Sequence, residues 1–154
     1  AIERHGYDRK RGIYVQAFGR PELDAALLLL PTVEFVDWRD ERMIRTVAAI
    51  REELGAGDGL LYRYRRRDGL RGREGAFLCC SFWLVECLAF QDQLTEARAV
   101  YDQAVATGND LGLFPEEIDP KRRELLGNFP QGLTHLSHIA ATVALTEAAS
   151  QARA

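Results

Sequence analysis

Three carboxylates lie between two prolines late in the chain: Glu116, Glu117 and Asp119 stand between Pro115 and Pro120. The prolines restrict the backbone and disfavour a long regular helix across this segment. A carboxylate held on a rigid loop beside a pocket can take a proton from water and so act as a general base. Acidic residues are also common in surface loops, so the pattern by itself is compatible both with a catalytic role and with solvent-exposed residues that have no catalytic role.

An arginine-rich segment precedes this loop, and Tyr62 and Tyr64 flank the first of its arginines. The arginines are Arg63, Arg65, Arg66, Arg67, Arg71 and Arg73. Arginines can bind the phosphates of a nucleic acid, and aromatic rings beside them can stack on its bases. Two acidic residues interrupt the run and the chain carries a formal net charge of −3, which favours a solvated loop over a nucleic-acid or membrane surface. One of its arginines could instead turn inward to bind sugar hydroxyls or a carboxylate.

His135 and His138 share one face of a predicted helix, and three cysteines, Cys79, Cys80 and Cys87, lie in an apolar stretch. The spacing matches no standard zinc pattern, so we expect no metal ion. An odd, clustered set of cysteines favours reduced core thiols and a cytoplasmic location. No phosphate-binding glycine motif or redox pair is present, and no cofactor is expected.

Helices that are apolar on every side alternate with amphipathic ones along the chain. The apolar segments are 22–30, 75–90 and 130–148, and the amphipathic segments are 40–54, with Asp37 or Asp40 as its cap, and 93–106. Helices that are apolar all round are buried, whereas amphipathic helices face water on one side. The order inner, outer, inner, outer, inner predicts an all-α fold in one domain over 1–154, and fits either a double ring of helices or an ordinary bundle.

The connections and the ends of the chain add three expectations. The segments 57–72 and 108–129 are long for links between helices, and such loops are more often functional than idle. Only 12–18 and 60–64 have a weak strand pattern, and the apolar run 25–31 is too short to cross a bilayer. The chain starts without Met on what looks like the last turn of a helix closed by Gly6, which predicts a segment of a longer protein.

Three blocks of residues, in this order, resemble the C-terminal part of the family 15 glycoside hydrolases, the group of glucoamylases, glucodextranases and bacterial trehalases. The blocks are Leu23-Asp24-Ala25-Ala26 with four leucines and Pro31; Tyr62-Arg63-Tyr64 with Glu74-Gly75-Ala76-Phe77 and on to Leu84; and Glu116-Glu117-Ile118-Asp119-Pro120 with Leu126-Gly127-Asn128-Phe129-Pro130-Gln131 and Thr134-His135. The resemblance covers essentially the whole chain.

This resemblance implies an (α/α)6 barrel, of which the chain forms about half, and inverting hydrolysis of α-glucosides at the non-reducing end. It implies that Glu116 is the general base and that Glu117 positions the base or the sugar. Arg63 matches a substrate-binding arginine, and Tyr64 and Glu74 are placed in the same pocket wall. The substrate would be an α-glucan, a gluco-oligosaccharide or trehalose.

The family's general acid precedes the part of the barrel that this chain resembles, so the mechanism is expected to be incomplete in the chain alone. Half a barrel would expose apolar surface of inner helices, which predicts self-association or a complementary chain that completes the barrel. Two alternatives stay open at this point. The chain could be a non-catalytic helical module that binds carbohydrate or protein, or a nucleic-acid binder that uses the arginine-rich segment.

Overall fold

The computed structural model describes residues 1–65 and 74–152. Of the arginine-rich segment it therefore includes Arg63 and Arg65, whereas Arg66, Arg67, Arg71 and Arg73 lie outside the described residues. The long helices are α2 (Glu41–Leu54), α3 (Leu78–Phe90), α4 (Leu94–Val105) and α5 (Gly132–Gln151), and one turn of helix, α1 (Ile2–His5), opens the chain and ends at Gly6. None of the helices in this part of the chain is long and apolar enough to cross a membrane.

The first apolar segment is not the helix that its composition predicts. Residues 22–30 contain only a 3₁₀ helix, Ala25–Leu29. The Asp24 carboxylate accepts a hydrogen bond of 2.7 Å from the Ala26 backbone amide, so the helical turn begins after Asp24, and Pro31 prevents its continuation. Six residues between a cap and a proline are too few for a stable α-helix, and the 3₁₀ turn is the short alternative.

The two amphipathic helices form as the sequence predicts. Asp40, one of the two candidate caps, accepts from the Arg42 amide at 2.8 Å and begins α2. The buried side of α2 carries Met43, Val47, Ile50 and Leu54, which are spaced three or four residues apart and therefore share one face. An ion pair joins Arg51 of α2 to Glu96 of α4 on the outer side.

Helix α3 forms the centre of the core and packs against α4, α5 and the 3₁₀ helix. Eleven of its thirteen residues are buried, as expected for a helix that is apolar on every side. The Trp83 indole donates a hydrogen bond of 3.0 Å to the Ser137 hydroxyl of α5, so a buried polar atom on each helix is satisfied. The exceptions to full burial in α3 are Glu86 and Phe90.

Within residues 1–65 and 74–152, seven short strands make small antiparallel ladders, and the sequence indicated only two of these pieces. Strand β1 (Tyr7–Asp8) pairs with β2 (Ile13–Tyr14), and β3 (Gly55–Gly57) pairs with β4 (Leu60–Leu61). The third ladder joins β5 (Ala76–Phe77), β6 (Glu117–Ile118) and β7 (Leu125–Leu126) in that order. This third ladder links the two long loops of the chain at the N-terminal end of α3.

The half-buried Glu86 of α3 provides a test of the packing. Burial raises the pKa of its carboxyl from 4.5 to about 7, so the folded protein binds this proton more tightly than the unfolded chain does. The contribution of Glu86 to stability is therefore fully present below pH 4.5 and is lost as the pH rises from 4.5 through 7. We expect Glu86→Gln to leave the free energy of unfolding unchanged at pH 4 and to raise it by about 1–3 kcal/mol at pH 8. Urea unfolding of both proteins at the two pH values measures this, and an equal effect at both would contradict it.

Candidate functional site

The backbone of Glu116 is fixed from two sides. Its carbonyl accepts a hydrogen bond of 3.0 Å from the Leu78 amide at the start of α3, and its own amide donates to the Asn128 carbonyl at 2.9 Å. Glu116 therefore lies directly before β6, between the N-terminus of α3 and the residues that follow β7. The sequence prediction of a fixed, non-helical segment between Pro115 and Pro120 is confirmed.

The Glu116 carboxylate is held by Asn128 through a single oxygen. Oε2 accepts from the Asn128 amide at 3.0 Å and from the Asn128 side-chain Nδ2 at 2.9 Å. Within the described residues both hydrogen bonds to this half-buried carboxylate end on Oε2. Two donors on one oxygen fix the plane of the carboxylate and stabilise its negative charge.

Gly127 makes this contact possible. Its φ is +70°, and a Cβ added to it would lie 2.8 Å from Glu116 Oε2 and 2.9 Å from Glu116 Cβ. A glycine is required on both counts, because other residues are strained at this φ and because the carboxylate occupies the space of a side chain. The sequence analysis assigned no role to Gly127 or Asn128. The signal that could have found them is the position of this pair within the block that resembles the family.

Glu117 begins β6 and its carboxylate has a different donor. Oε2 accepts a hydrogen bond of 2.6 Å from the backbone amide of Gly75. Burial raises the pKa of Glu117, and the charges of Glu74 and Glu116 raise it further, against the opposing effect of the Gly75 hydrogen bond. Three carboxylates are thus close enough to interact electrostatically.

Glu74 and Tyr64 stand beside this pair of glutamates. The Tyr64 hydroxyl donates to Glu74 Oε1 over 3.4 Å, and Glu74 acts on the Glu117 carboxyl through its charge. Tyr64 is half-buried and Glu74 is exposed. A phenol and a carboxylate at an open edge are suited to hydrogen bonds with the hydroxyl groups of a polar ligand.

Arg63 is anchored through its backbone and leaves its side chain accessible. The Arg63 carbonyl accepts from the Ala25 amide at 2.8 Å, and its Nε lies 3.7 Å from Oδ2 of Asp24. Its guanidinium lies 6.0 Å from the centre of the Tyr64 ring, and 48% of its side chain is exposed. The hydrogen bond with the Cys80 side chain is the main cause that lowers the pKa of Cys79 in the first turn of α3, and the positive charge of Arg63 lowers this pKa further. Arg63 therefore also lies near the start of α3.

The five predicted site residues therefore gather around the N-terminal end of α3. Glu116 bonds to Leu78, Glu117 and Glu74 flank Gly75 just before β5, and Arg63 and Tyr64 follow β4. The arrangement combines one oriented carboxylate, a second carboxylate of raised pKa, an arginine and a phenol. Such a set can bind a polyhydroxylated molecule and take a proton from a water molecule held beside Glu116.

The first turn of α5 and its cap hold the loop before Glu116 through three hydrogen bonds. The Gln131 amide donates to the Phe114 carbonyl at 2.9 Å, the Thr134 hydroxyl to the Pro115 carbonyl at 3.0 Å, and the Phe114 amide to Nε2 of His135 at 3.2 Å. This last bond requires a neutral His135 with its proton on Nδ1. These hydrogen bonds could not be predicted from the sequence, because the partners are 17 to 21 residues apart and meet only when α5 packs against the loop.

The histidines and cysteines have roles in the packing. Nε2 of His138 lies 3.0 Å from the Tyr101 hydroxyl, and burial followed by the nearby His135 lowers the pKa of His138. Cys79, Cys80 and Cys87 are free and buried. Over residues 1–65 and 74–152 the structure contains no group of three or more His, Cys, Asp or Glu side chains that could hold a metal ion.

A cavity of about 380 Å³ lies away from these residues, between the β3–β4 hairpin and helices α2 and α4. Its lining includes Arg51, Asp58, Leu84, Glu96 and Gln103, and none of the five predicted site residues. Arg51 and Glu96 already pair with each other there. The predicted site residues and this cavity therefore occupy different parts of the structure.

Comparison with known proteins agrees with the geometry. The family model described as glycosyl hydrolases family 15 matches residues 1–143. A trehalase of Thermoplasma acidophilum is 43% identical over 143 residues, which cover 93% of this chain and 25% of that protein. A trehalase of Mycobacterium tuberculosis is 42% identical over 154 residues, which cover 98% of this chain and 22% of that protein. The chain thus spans about a quarter of the length of these curated relatives.

Solved glycosidases have the same fold over this region. A wild-type glycosidase superposes with a TM-score of 0.80 at 20% identity, covering 94% of this chain and 41% of the other. A glycosidase variant in complex with glucose superposes equally well, with a TM-score of 0.80 at 19% identity and the same coverage. At this identity the likeness concerns the helical fold alone.

Replacing Gly127 tests the geometry around Glu116. We expect Gly127→Ala to lower the free energy of unfolding by about 2–4 kcal/mol, because a strained φ and an overlap with the Glu116 side chain act together. Gly112→Ala is the matched control, since Gly112 has φ +72° and nothing within 4 Å of an added Cβ. The control should lose only about 1 kcal/mol. Equal losses in urea unfolding would show that Gly127 does not confine Glu116.

Proposed function

Because the chain belongs to glycosyl hydrolases family 15, we propose that it supplies the general base and one wall of the glucose pocket for an inverting, exo-acting hydrolysis of α-glucosidic bonds. Glu116 is the base. The helices belong to an (α/α)6 barrel, of which residues 1–154 form about half as one domain. The chain is thus the base-bearing part of a glycoside hydrolase.

The carboxylate of Glu116 carries this proposal. Asn128 occupies Oε2 with two hydrogen bonds at 2.9 and 3.0 Å, and the half-buried carboxylate keeps its other oxygen for a water molecule. A general base must be fixed in orientation and within hydrogen-bond reach of the proton that it takes.

In an inverting reaction the base acts on water and a carboxylic acid acts on the leaving group. Glu116 takes a proton from the water, whose oxygen forms a bond to the anomeric carbon as the bond from that carbon to the glycosidic oxygen breaks. The acid donates its proton to the departing oxygen from the opposite face of the sugar. In such enzymes the two carboxyl groups are about 6.5–9.5 Å apart, which leaves room for the water. This chain is assigned the base half of that pair.

The other four residues bind the sugar. Arg63 and Tyr64 present a guanidinium and a phenol at the open edge, and Glu74 and Glu117 present carboxylates that accept hydrogen bonds from sugar hydroxyls. The repulsion among Glu74, Glu116 and Glu117, which helps to raise the pKa of Glu117, is relieved when hydroxyl donors are bound. The site is therefore suited to a neutral polyol and not to an anion.

Trehalose is the favoured substrate, because relatives 42–43% identical to the chain are trehalases. An α-glucan or a gluco-oligosaccharide such as maltose is the alternative within the same chemistry. The three free, buried cysteines support a reducing compartment, and we place the reaction in the cytoplasm.

The base assignment is tested in a complete catalytic domain, made by substituting residues 1–143 for the matching segment of the Thermoplasma acidophilum trehalase. We expect Glu116→Gln to lower kcat for trehalose by about 10²–10⁴, since general-base catalysis contributes that much, while far-UV circular dichroism stays unchanged. Glu124→Gln, an exposed glutamate of the same loop, is the control and should retain full activity. Turnover that survives Glu116→Gln would remove Glu116 from the mechanism.

The pocket wall is tested through Arg63 in the same chimaera. We expect Arg63→Ala to raise KM for trehalose by about tenfold, the equivalent of losing one or two hydrogen bonds from a charged donor. Arg65→Ala is the matched control, because the Arg65 side chain donates to the Gly55 carbonyl at 2.9 Å and lies over the Tyr62 ring. Steady-state kinetics with trehalose and maltose give the comparison. Equal effects of the two substitutions would show that Arg63 is not specific to the sugar.

A further inference from the structure

Asp24 is a buried carboxylate at the start of the 3₁₀ helix, and only 10% of its side chain is exposed. Its Oδ1 accepts the hydrogen bond from the Ala26 amide, and its Oδ2 accepts one of 3.3 Å from the side-chain amide of Gln16. Both donors are neutral, and a buried negative charge is costly unless a positive charge compensates it. Capping the 3₁₀ helix does not require that charge, because asparagine caps a helix about as well as aspartate does.

Arg63 supplies the compensating charge. Its Nε lies 3.7 Å from Asp24 Oδ2, and among residues 1–65 and 74–152 it is the only basic side chain within 4.0 Å of this carboxylate. The contact is made through Nε, so it involves none of the four N–H groups on Nη1 and Nη2 of the guanidinium. A carboxylate at Nε therefore favours one direction of the guanidinium.

The backbones of the same two segments are also joined. The amide of Ala25, the residue after Asp24, donates to the Arg63 carbonyl at 2.8 Å. Both side chains lie near the first turn of α3: the hydrogen bond with Cys79 and then burial raise the pKa of Cys80. The charge of Asp24 raises this pKa further, and the charge of Arg63 opposes the increase. Arg63 is thus held beside α3 through its backbone and through its side chain.

The exposure of the two partners differs, and this difference suggests how they divide their roles. Arg63 is 48% exposed, so it can contact a ligand, and an exposed arginine loses rotamer freedom when it binds one. A partner that orients the guanidinium before the ligand arrives reduces that cost. Asp24 has almost no accessible surface of its own, so any effect on a ligand is exerted through Arg63.

We propose that Asp24 is a positioning residue of the sugar site, whose carboxylate orients the Arg63 guanidinium for the sugar. This rests on the proposed function, in which Arg63 binds the sugar. Asp24 contacts neither the sugar nor the reacting water. Because Arg63 belongs to the binding wall and Glu116 is the base, the loss of Asp24 weakens substrate binding and raises KM, with little effect on kcat.

The orientation of Arg63 is tested in this chain by NMR spectroscopy of the arginine Nε–H groups, with the Arg63 signal identified by its loss in Arg63→Lys. We expect Asp24→Asn, which keeps the cap, to lower the heteronuclear NOE of Arg63 Nε towards that of a freely rotating side chain. Asp40→Asn is the matched control, because Asp40 also caps a helix and accepts from Arg42 Nε at 3.0 Å. The control should change the Arg42 signal and not that of Arg63.

The effect on the sugar is tested by steady-state kinetics in the chimaera with the Thermoplasma acidophilum trehalase. We expect Asp24→Asn to raise KM for trehalose about threefold to fivefold, the contribution of one ion pair, and to leave kcat within about twofold. Combined with Arg63→Ala it should raise KM no further, because the pair is already lost. Asp40→Asn should leave KM unchanged in both backgrounds, and far-UV circular dichroism confirms that each variant is folded.

Asp24 is not a positioning residue if Asp24→Asn leaves the NOE of Arg63 Nε unchanged, or if it raises KM by the same factor with and without Arg63→Ala. The same conclusion follows if only Arg63→Ala raises KM, because Arg63 then binds the sugar without help from Asp24. The failure of the proposed function gives a different result. Arg63→Ala then leaves KM unchanged although Asp24→Asn lowers the NOE, so the ion pair is present and neither partner serves the sugar.

Discussion

The backbone hydrogen bonds around residues 114–118 are the constraint on which the site depends. This segment is bonded to the start of α3 through Leu78, to the second residue after β7, Asn128, and to the first turn of α5 through Thr134 and His135. None of these bonds is made by residues next to the segment in the chain. Helix packing places α3 and α5 side by side, and the loop between them is held in one conformation as a consequence.

The composition of the helices explains how this packing is achieved. Helix α3 is apolar on every side, so other elements can pack against each of its faces. The residues of α5 that pack against α3 are alanine, serine and threonine, and these small side chains allow the two backbones to approach closely. The Trp83 to Ser137 hydrogen bond joins the same two helices. The large residues of α5, Leu133, Leu136, Ile139 and Val143, are exposed on the side of the helix that faces away from α3.

The electrostatic interactions in the site arise because three carboxyl groups lie close together. Glu74, Glu116 and Glu117 converge at the end of α3, and each is stabilised by a different donor: the Tyr64 hydroxyl, the Asn128 amides and the Gly75 amide. Arg63 stands at the same end and pairs with Asp24. Three separate neutral groups thus donate to the three carboxylates, and none of these donors carries a positive charge.

The sequence by itself determined helices α2 to α5, the half-buried character of α2 and α4, the burial of α3, the fixed loop at Glu116 and, through three blocks of residues, the family. Most of these features are local, since periodicity, capping residues and prolines act within a few residues of the chain. The sequence prediction was wrong about 22–30, where the cap at Asp24 and Pro31 leave room only for a 3₁₀ turn. It was also wrong about the full burial of 130–148, because Leu133, Leu136, Ile139 and Val143 of α5 are exposed.

Only the tertiary structure decided what holds Glu116. Asn128 donates to its carboxylate, Gly127 lies beside it, and the first turn of α5 bonds to the loop. The same is true of Glu117, which accepts from the Gly75 amide. The β5–β6–β7 ladder pairs strands of two residues, too short to produce an alternating pattern that a sequence could reveal. The outward direction of the large residues of α5 was equally hidden, because a helix that is apolar on every side carries no periodic signal to tell which side faces the core.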